Sequence, residues 1–251
     1  MTSNESDSAQ ADIGIVSALP IEVGQFMDRC ERVKHYKGED LTFRGGRYDG
    51  IRVVVAESGM GYARARKASL ALIDAHKPKW ILSSGFSGAL LPSMTIGQIV
   101  MANEIVDQHG QKKSIKLSLE SDIENGLYVG RILTADEMVR TVGQKQQLHE
   151  KFEALAVDME SLAVAQVASE TRTGFMAVRV ISDDMSADLP PEVLSIIGDT
   201  GAVRVGAALT SIFKRPESVK DMLHLRTNAQ AAAKSLATFL AGVVHQLHSS
   251  G

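Results

Sequence analysis

Short, β-branched apolar runs alternate with segments of helical periodicity along most of this chain, and that alternation restricts the fold more than any other feature. Ile13-Gly14-Ile15-Val16, Arg52 to Ala56, Trp80-Ile81-Leu82 and Ile99-Val100-Met101 read as buried strands. Tyr128 to Leu133, Ala154 to Val157 and Phe175 to Ile181 read the same way. Between them, Tyr62 to His76 is Ala-rich and follows Gly59-Met60-Gly61, while Met159, Leu162, Ala163 and Val167 fall on one helical face. Near the C-terminus Leu236, Phe239, Leu240, Val243, Val244 and Leu247 trace the stripe of an amphipathic helix. The pattern predicts an α/β fold: a three-layer αβα sandwich around a central mixed sheet.

No repeat and no linker divides the chain, so a single domain over residues 12–251 is expected, preceded by a small, polar, acidic tail over residues 1–11. That tail lacks the basic start and apolar stretch of a signal peptide and reads as the disordered end of a cytoplasmic protein. A net charge of -3 gives no reason to expect a nucleic-acid partner. No apolar run approaches the roughly 20 residues of a membrane span. Cys30 is the sole cysteine, which rules out an internal disulfide and offers no zinc spacing. The polar, Lys-rich stretch from Gly110 to Asn125 is open between a loop and a short exposed helix.

In open α/β sheets ligands gather at the carboxyl ends of strands, and three acidic positions fall there: Glu22, Glu160 and Asp183. Each also has an ordinary structural account. Glu22 follows Pro20 as an acidic residue in a helix's first turn. Asp158 can cap the next helix and leave Glu160 facing solvent, and Asp183-Asp184 can form a polar turn. The glycine turn Gly59-Met60-Gly61 can cradle an anion but matches neither phosphate fingerprint. Gly85-Phe86-Ser87-Gly88 is one residue short of a nucleophile elbow, which disfavours a serine hydrolase. His109 and His149 have no partners at metal-ligand spacing and read as exposed, neutral positions. Met60, Met138, Met159 and Met185 read as core before pocket wall.

Taken together, the strings Ile13–Val23 (IGIVSALPIEV), Ser58-Gly59-Met60-Gly61, Ser84 to Leu90 (SGFSGAL), Thr134 to Val139 (TADEMV), Ala156 to Ser161 (AVDMES) and Arg179 to Asp183 (RVISD) resemble the nucleoside phosphorylase superfamily, and within it the methylthioadenosine/S-adenosylhomocysteine nucleosidases. The resemblance spans about Ile13 to Asp184. It implies hydrolysis of the N-glycosidic bond of a 5′-substituted adenosine with release of adenine. Asp183 matches the acid that protonates the purine at N7, and Glu22 the glutamate that orients or deprotonates the attacking water. Met159 and Glu160 match the pair at the ribose; Met138 and Val139 match the pair whose backbone meets the adenine. Ser182 and Arg179 match neighbours that hold the acidic residues, and Phe86, Ser87 and Gly88 the wall beside the substrate. The partners implied are a small-molecule purine nucleoside and water, with no metal and no organic cofactor. The family also implies a homo-oligomer, a dimer or larger, and a place in purine salvage.

Phosphorylases of the superfamily carry an arginine and a serine around the Gly85 turn and a Gly-Asp-Pro-Arg type loop after the first strand. Here those positions read Ser83, Phe86 and Ser17-Ala18-Leu19-Pro20, which favours water over phosphate as nucleophile. The segment between Met101 and Leu133 is shorter than in typical relatives. With Phe86 and Leu189-Pro190-Pro191-Glu192-Val193 it is also similar to hopanoid-associated nucleosidases, making an adenosylhopane-type substrate an alternative. A purine nucleoside phosphorylase and a non-catalytic nucleoside-binding protein are the other readings.

Overall fold

The computed structural model describes residues 10–38, 41–191, 193 and 217–249. Residues 1–9 of the expected tail lie outside this range. Ala11 belongs to the packed chain: its side chain is buried and its N–H donates to the His76 carbonyl at 2.9 Å.

Ten strands and five α-helices are formed among the described residues. The strands are β1 (Ile13–Ser17), β2 (Glu31–Lys37), β3 (Thr42–Tyr48), β4 (Ile51–Glu57), β5 (Trp80–Ala89), β6 (Ile99–Asp107), β7 (Lys112–Ser114), β8 (Leu127–Thr134), β9 (Ala156–Asp158) and β10 (Gly174–Asp183). The helices are α1 (Pro20–Met27), α2 (Tyr62–His76), α3 (Val142–Phe152), α4 (Ser161–Thr171) and α5 (Glu217–Ser249). None of them is long and apolar enough to cross a membrane.

The central strands are buried on both faces, which is why they read as continuous apolar runs. In β1 and β4, Ile13, Ile15, Val53 and Val55 point into a core shared with α1 and α5. Val16, Val54 and Ala56 point into a second core beneath α2 and α4. Three layers follow from that division, as the alternation predicts. The Gly110–Asn125 stretch resolves into the short strand β7 and a 3₁₀ turn at Ile123–Asn125.

One edge of the sheet is invisible in the apolar pattern. β2 and β3 form an antiparallel ribbon beyond β4, and β2 is almost wholly exposed and rich in charge. Exposed edge strands carry lysines as protection against further pairing, here Lys34 and Lys37. The β3–β4 connection is the two-residue turn Asp49-Gly50, with φ of 47° and 83°, the double left-handed geometry an Asp-Gly hairpin supplies.

The other half of the sheet curls shut. β5 pairs with β10, β10 with β6, β6 with β8, β8 with β9, and β9 returns to β5. β5 therefore serves two neighbours along one edge: Trp80–Ser83 pair with β1, and Gly88–Ala89 pair with β9. Between these pairings Ser84 to Ser87 face a fork in the sheet. Such a parting of strand directions is where an α/β fold opens a crevice.

Candidate active site

A cavity of about 250 Å³ opens at this fork. It brings together Glu22, Phe86, Ser87, Gly88, Met138 and Val139, and likewise Met159, Glu160, Ser182 and Asp183. Arg179 stands behind the wall, buried at 1% exposure, so the residues that the resemblance matches to the site converge on one place. Met60, Met138 and Met159 are half-buried cavity wall, where the sequence favoured core.

Glu22 is fixed by the strand-to-helix turn that carries it. Pro20 opens α1, and Glu22 turns back so that Oε2 accepts from the Leu19 N–H at 2.8 Å and the Ser17 hydroxyl at 2.6 Å. Its Oε1 accepts from the Phe86 N–H at 2.9 Å, a backbone donor that the fork leaves without a strand partner. The acidic first-turn position is thus also a cavity position, and Glu22 is buried at 3% exposure.

The second cluster is built on the end of β9. The N-cap of α4 is Glu160 and not Asp158, which stands two residues earlier in the turn, its Oδ1 accepting from the Glu160 and Ser161 N–H groups at 3.2 Å and from the Thr134 hydroxyl at 2.9 Å. Glu160 does not face solvent; it is 6% exposed, because its chain reaches inward to the Gly61 N–H at 2.7 Å. The glycine turn 59–61 therefore holds one of the protein's own carboxylates. Arg179 joins the cluster, with Nε 2.8 Å from Asp158 Oδ2 and a terminal nitrogen 3.6 Å from Glu160 Oε2. It also donates to Ser83 Oγ at 2.9 Å and Ser161 Oγ at 3.1 Å. Burial pushes the Glu160 carboxyl up to about 7, Arg179 opposing the rise and Asp158 and Glu22 adding to it.

Asp183 owes its place to an irregularity. The pairing of β10 with β5 runs Ile181 to Ser87 and then Asp183 to Gly88, so Ser182 is an extra residue in the strand. A regular strand would send Ser182 and Asp183 to opposite faces; with the bulge both line the cavity. Ser182 Oγ donates to Asp183 Oδ1 at 2.9 Å. Lys145 Nζ, on α3, stands 2.6 Å from Asp183 Oδ2. Burial raises the Asp183 carboxyl above the ordinary range, and Lys145 and Ser182 pull against it.

Sequence reasoning missed Lys145. Its signal is faint but physical: Lys145, Leu148 and Phe152 follow i, i+3, i+7, so the lysine occupies the apolar face of α3, and it is 0% exposed. Two glycines of β5 keep both clusters close to the strand. A Cβ on Gly85 would lie 2.8 Å from Glu22 Oε1 and from Arg179 Nη1; one on Gly88 would lie 2.9 Å from Asp183 Oδ2.

Among the described residues that line the cavity there is no cationic side chain, whereas Glu22, Glu137, Asp158, Glu160 and Asp183 all contribute to the wall. Neither His109, which pairs with the exposed Asp136, nor His149, bonded to the Ala154 carbonyl, takes part. No group of three or more potential metal ligands occurs among the described residues.

Comparison with known proteins points in one direction. A family model described as the phosphorylase superfamily matches residues 12–125 and 116–213. A 5′-methylthioadenosine/S-adenosylhomocysteine nucleosidase of Geobacillus thermodenitrificans is 27% identical over 194 residues, covering 67% of this chain and 82% of that protein. The Bacillus subtilis protein of the same name is 26% identical over 196 residues, covering 68% and 85%. Among solved structures, the Neisseria meningitidis nucleosidase in complex with methylthio-immucillin-A superposes with a TM-score of 0.68 at 20% identity, over 92% of this chain and 97% of that one. The Colwellia psychrerythraea nucleosidase in complex with adenine gives 0.68 at 20% identity, over 95% and 96%.

Proposed function

This chain belongs to the phosphorylase superfamily, and we propose that it hydrolyses the N-glycosidic bond of a 5′-substituted adenosine, releasing adenine. One observation carries the choice of water over phosphate: five carboxyl groups and no cationic side chain among the described residues of the cavity wall. A phosphate dianion needs opposite charge, and this wall opposes it.

In this reading the C1′–N9 bond breaks with its electron pair going to the purine, and the sugar takes on oxocarbenium character. Asp183 delivers a proton to N7, so that the base leaves neutral. Glu22 receives a proton from the attacking water, whose oxygen bonds to C1′. Glu160 accepts from the ribose hydroxyls, and Met159 packs against the sugar. Met138 and Val139 meet the adenine through their backbone. The carboxylates around the sugar favour the positive charge that develops there. The chemistry asks Asp183 to carry a proton, and burial, which raises its carboxyl, supports that reading.

The 5′ side of the cavity is apolar, with Ile21, Leu189, Val193 and Leu225 in its wall. That wall suits methylthioadenosine, and it equally favours a second reading in which the 5′ substituent is a bulky lipid. By family resemblance the enzyme works as a cytoplasmic homo-oligomer in purine salvage, which sedimentation velocity tests for assembly. Incubation with methylthioadenosine, S-adenosylhomocysteine, adenosine and inosine, with and without phosphate, tests the reaction. Adenine release without phosphate is the expected result. Release only with phosphate, or binding without any product, would overturn hydrolysis.

A further inference from the structure

The buried ammonium at the base end is not accounted for by the reaction as described. Lys145 is wholly buried, yet it sits within reach of three acceptors: Asp183 Oδ2 at 2.6 Å, the Asp184 carbonyl at 2.8 Å and the Asp183 carbonyl at 3.2 Å. Three acceptors match the three N–H donors of a charged lysine; a neutral amine has only two. A buried charge is retained only where it is paired and hydrogen-bonded, and this one is spent entirely on the turn that presents Asp183.

We propose that Lys145 is the positioning residue of the base-side acid: it fixes where the Asp183 carboxyl stands and sets the pH above which that carboxyl ceases to act as an acid. The inference rests on the nucleosidase reading and deepens it. Because Oδ2 is taken by Lys145, Oδ1, beside the Ser182 hydroxyl, is the oxygen that carries the proton toward the purine. The ammonium opposes what burial does to the same group. It keeps the carboxyl able to release its proton instead of holding it in an apolar site. The other charged groups around Asp183 are Asp184 in its own turn, Glu137 at the rim and, across the cavity, Glu22, Asp158 and Glu160. All are acidic. Arg179, also on β10, is committed to Asp158 and Glu160. Lys145 is thus the cation that contacts this carboxyl among the described residues. β5 contributes only Gly88, whose missing side chain leaves room for both partners: a Cβ there would meet Asp183 Oδ2 at 2.9 Å and Lys145 Cε at 3.4 Å.

Two measurements on the full chain separate this role from a structural one. The first follows the Asp183 carboxyl carbon by ¹³C NMR titration, assigned by its disappearance in Asp183→Asn. In Lys145→Met, which keeps an unbranched side chain one atom shorter and without charge, the midpoint is expected to rise by about one unit or more. In Lys145→Arg it is expected to stay near the wild-type value. Should Lys145→Met not fold, Lys145→Gln, which can still bond the two carbonyls, replaces it. The second is the pH profile of kcat: the alkaline limb is expected to move up with the NMR midpoint, while kcat at the optimum falls about tenfold or more as the carboxyl loses its anchor. An unmoved midpoint in a folded, uncharged variant overturns the proposal. So does a midpoint that moves while the alkaline limb stays, since the limb would then belong to another group. Absence of base release from the wild type would instead sink the nucleosidase reading, and the NMR titration would still decide whether Lys145 controls Asp183.

Discussion

The two ends of the cavity hold carboxyl groups by opposite means. At the Glu22 end two acidic side chains, Asp158 and Glu160, share one guanidinium, and Glu22 itself is oriented by two backbone N–H groups and a hydroxyl, without touching a cation. At the Asp183 end a single carboxyl faces a single ammonium. One end is left electron-rich, and the other is balanced. That difference is what bond cleavage between a sugar becoming positive and a base becoming negative would ask of a protein. It also shows that residue type alone does not assign a role: Glu22, Glu160 and Asp183 are chemically alike and differ in what donates to them.

The comparison can be broken most directly at its balanced end. Asp183→Asn is expected to lower kcat for adenine release by about a hundred- to ten-thousand-fold, and, because it leaves Lys145 buried beside a neutral amide, to lower the thermal midpoint as well, so activity is read well below that midpoint. Retained activity would remove the distinction between the ends. Next in size, Arg179→Met strands Asp158 and Glu160 without their buried partner. Removing one member of such a pair costs about 3–5 kcal/mol, to be read as a drop in the urea midpoint. A loss well under that range would mean that hydrogen bonds alone hold the acidic end together.

The two glycines of β5 sharpen the contrast. Gly85→Ala pushes on Glu22 and Arg179, Gly88→Ala on Asp183, and each is expected to cost about 1–3 kcal/mol. Gly85→Ala is expected to disturb the acid limb of the pH–rate profile and Gly88→Ala the alkaline limb. A common effect on both limbs would mean that the ends do not act separately. A further effect concerns Glu160, raised to about 7 by burial. Between its unfolded value of about 4.5 and about 7 the folded state binds more proton than the unfolded chain, so stability falls as pH rises through that window and levels off above it. Glu160→Gln cannot lose the proton. Its melting temperature is therefore expected to gain on the wild type between about pH 5 and about pH 8. Parallel melting curves would place the buried charge elsewhere.

The parts of this arrangement that could be read in the sequence are those in which burial and periodicity coincide. β1, β4 and β10 are apolar on both faces, α2 was legible from end to end, and the acidic positions stood at strand ends. The β2–β3 ribbon was not, because an exposed edge has no apolar alternation to offer; Asp49-Gly50 was its one local mark. Lys145 was hidden for a related reason. A lysine in the polar run Gln144 to Gln147 looks like solvated surface until the partner that neutralises it, 38 positions away, is known. The inward turn of Glu160 likewise depends on Gly61, 99 positions earlier. Contacts at such separations leave no trace in a window of a dozen residues.

The extra residue at Ser182 has a consequence for how this chain can change. A strand counts its faces in twos, and the bulge adds one to the count just before the acid. Deleting Ser182 would close the bulge and place Asp183 directly after Ile181, still opposite Gly88 and still facing the cavity, but without the hydroxyl that donates to its Oδ1. What the extra residue adds is a second side chain on one face: two neighbours in the chain, a hydroxyl and a carboxyl, reach the same cavity.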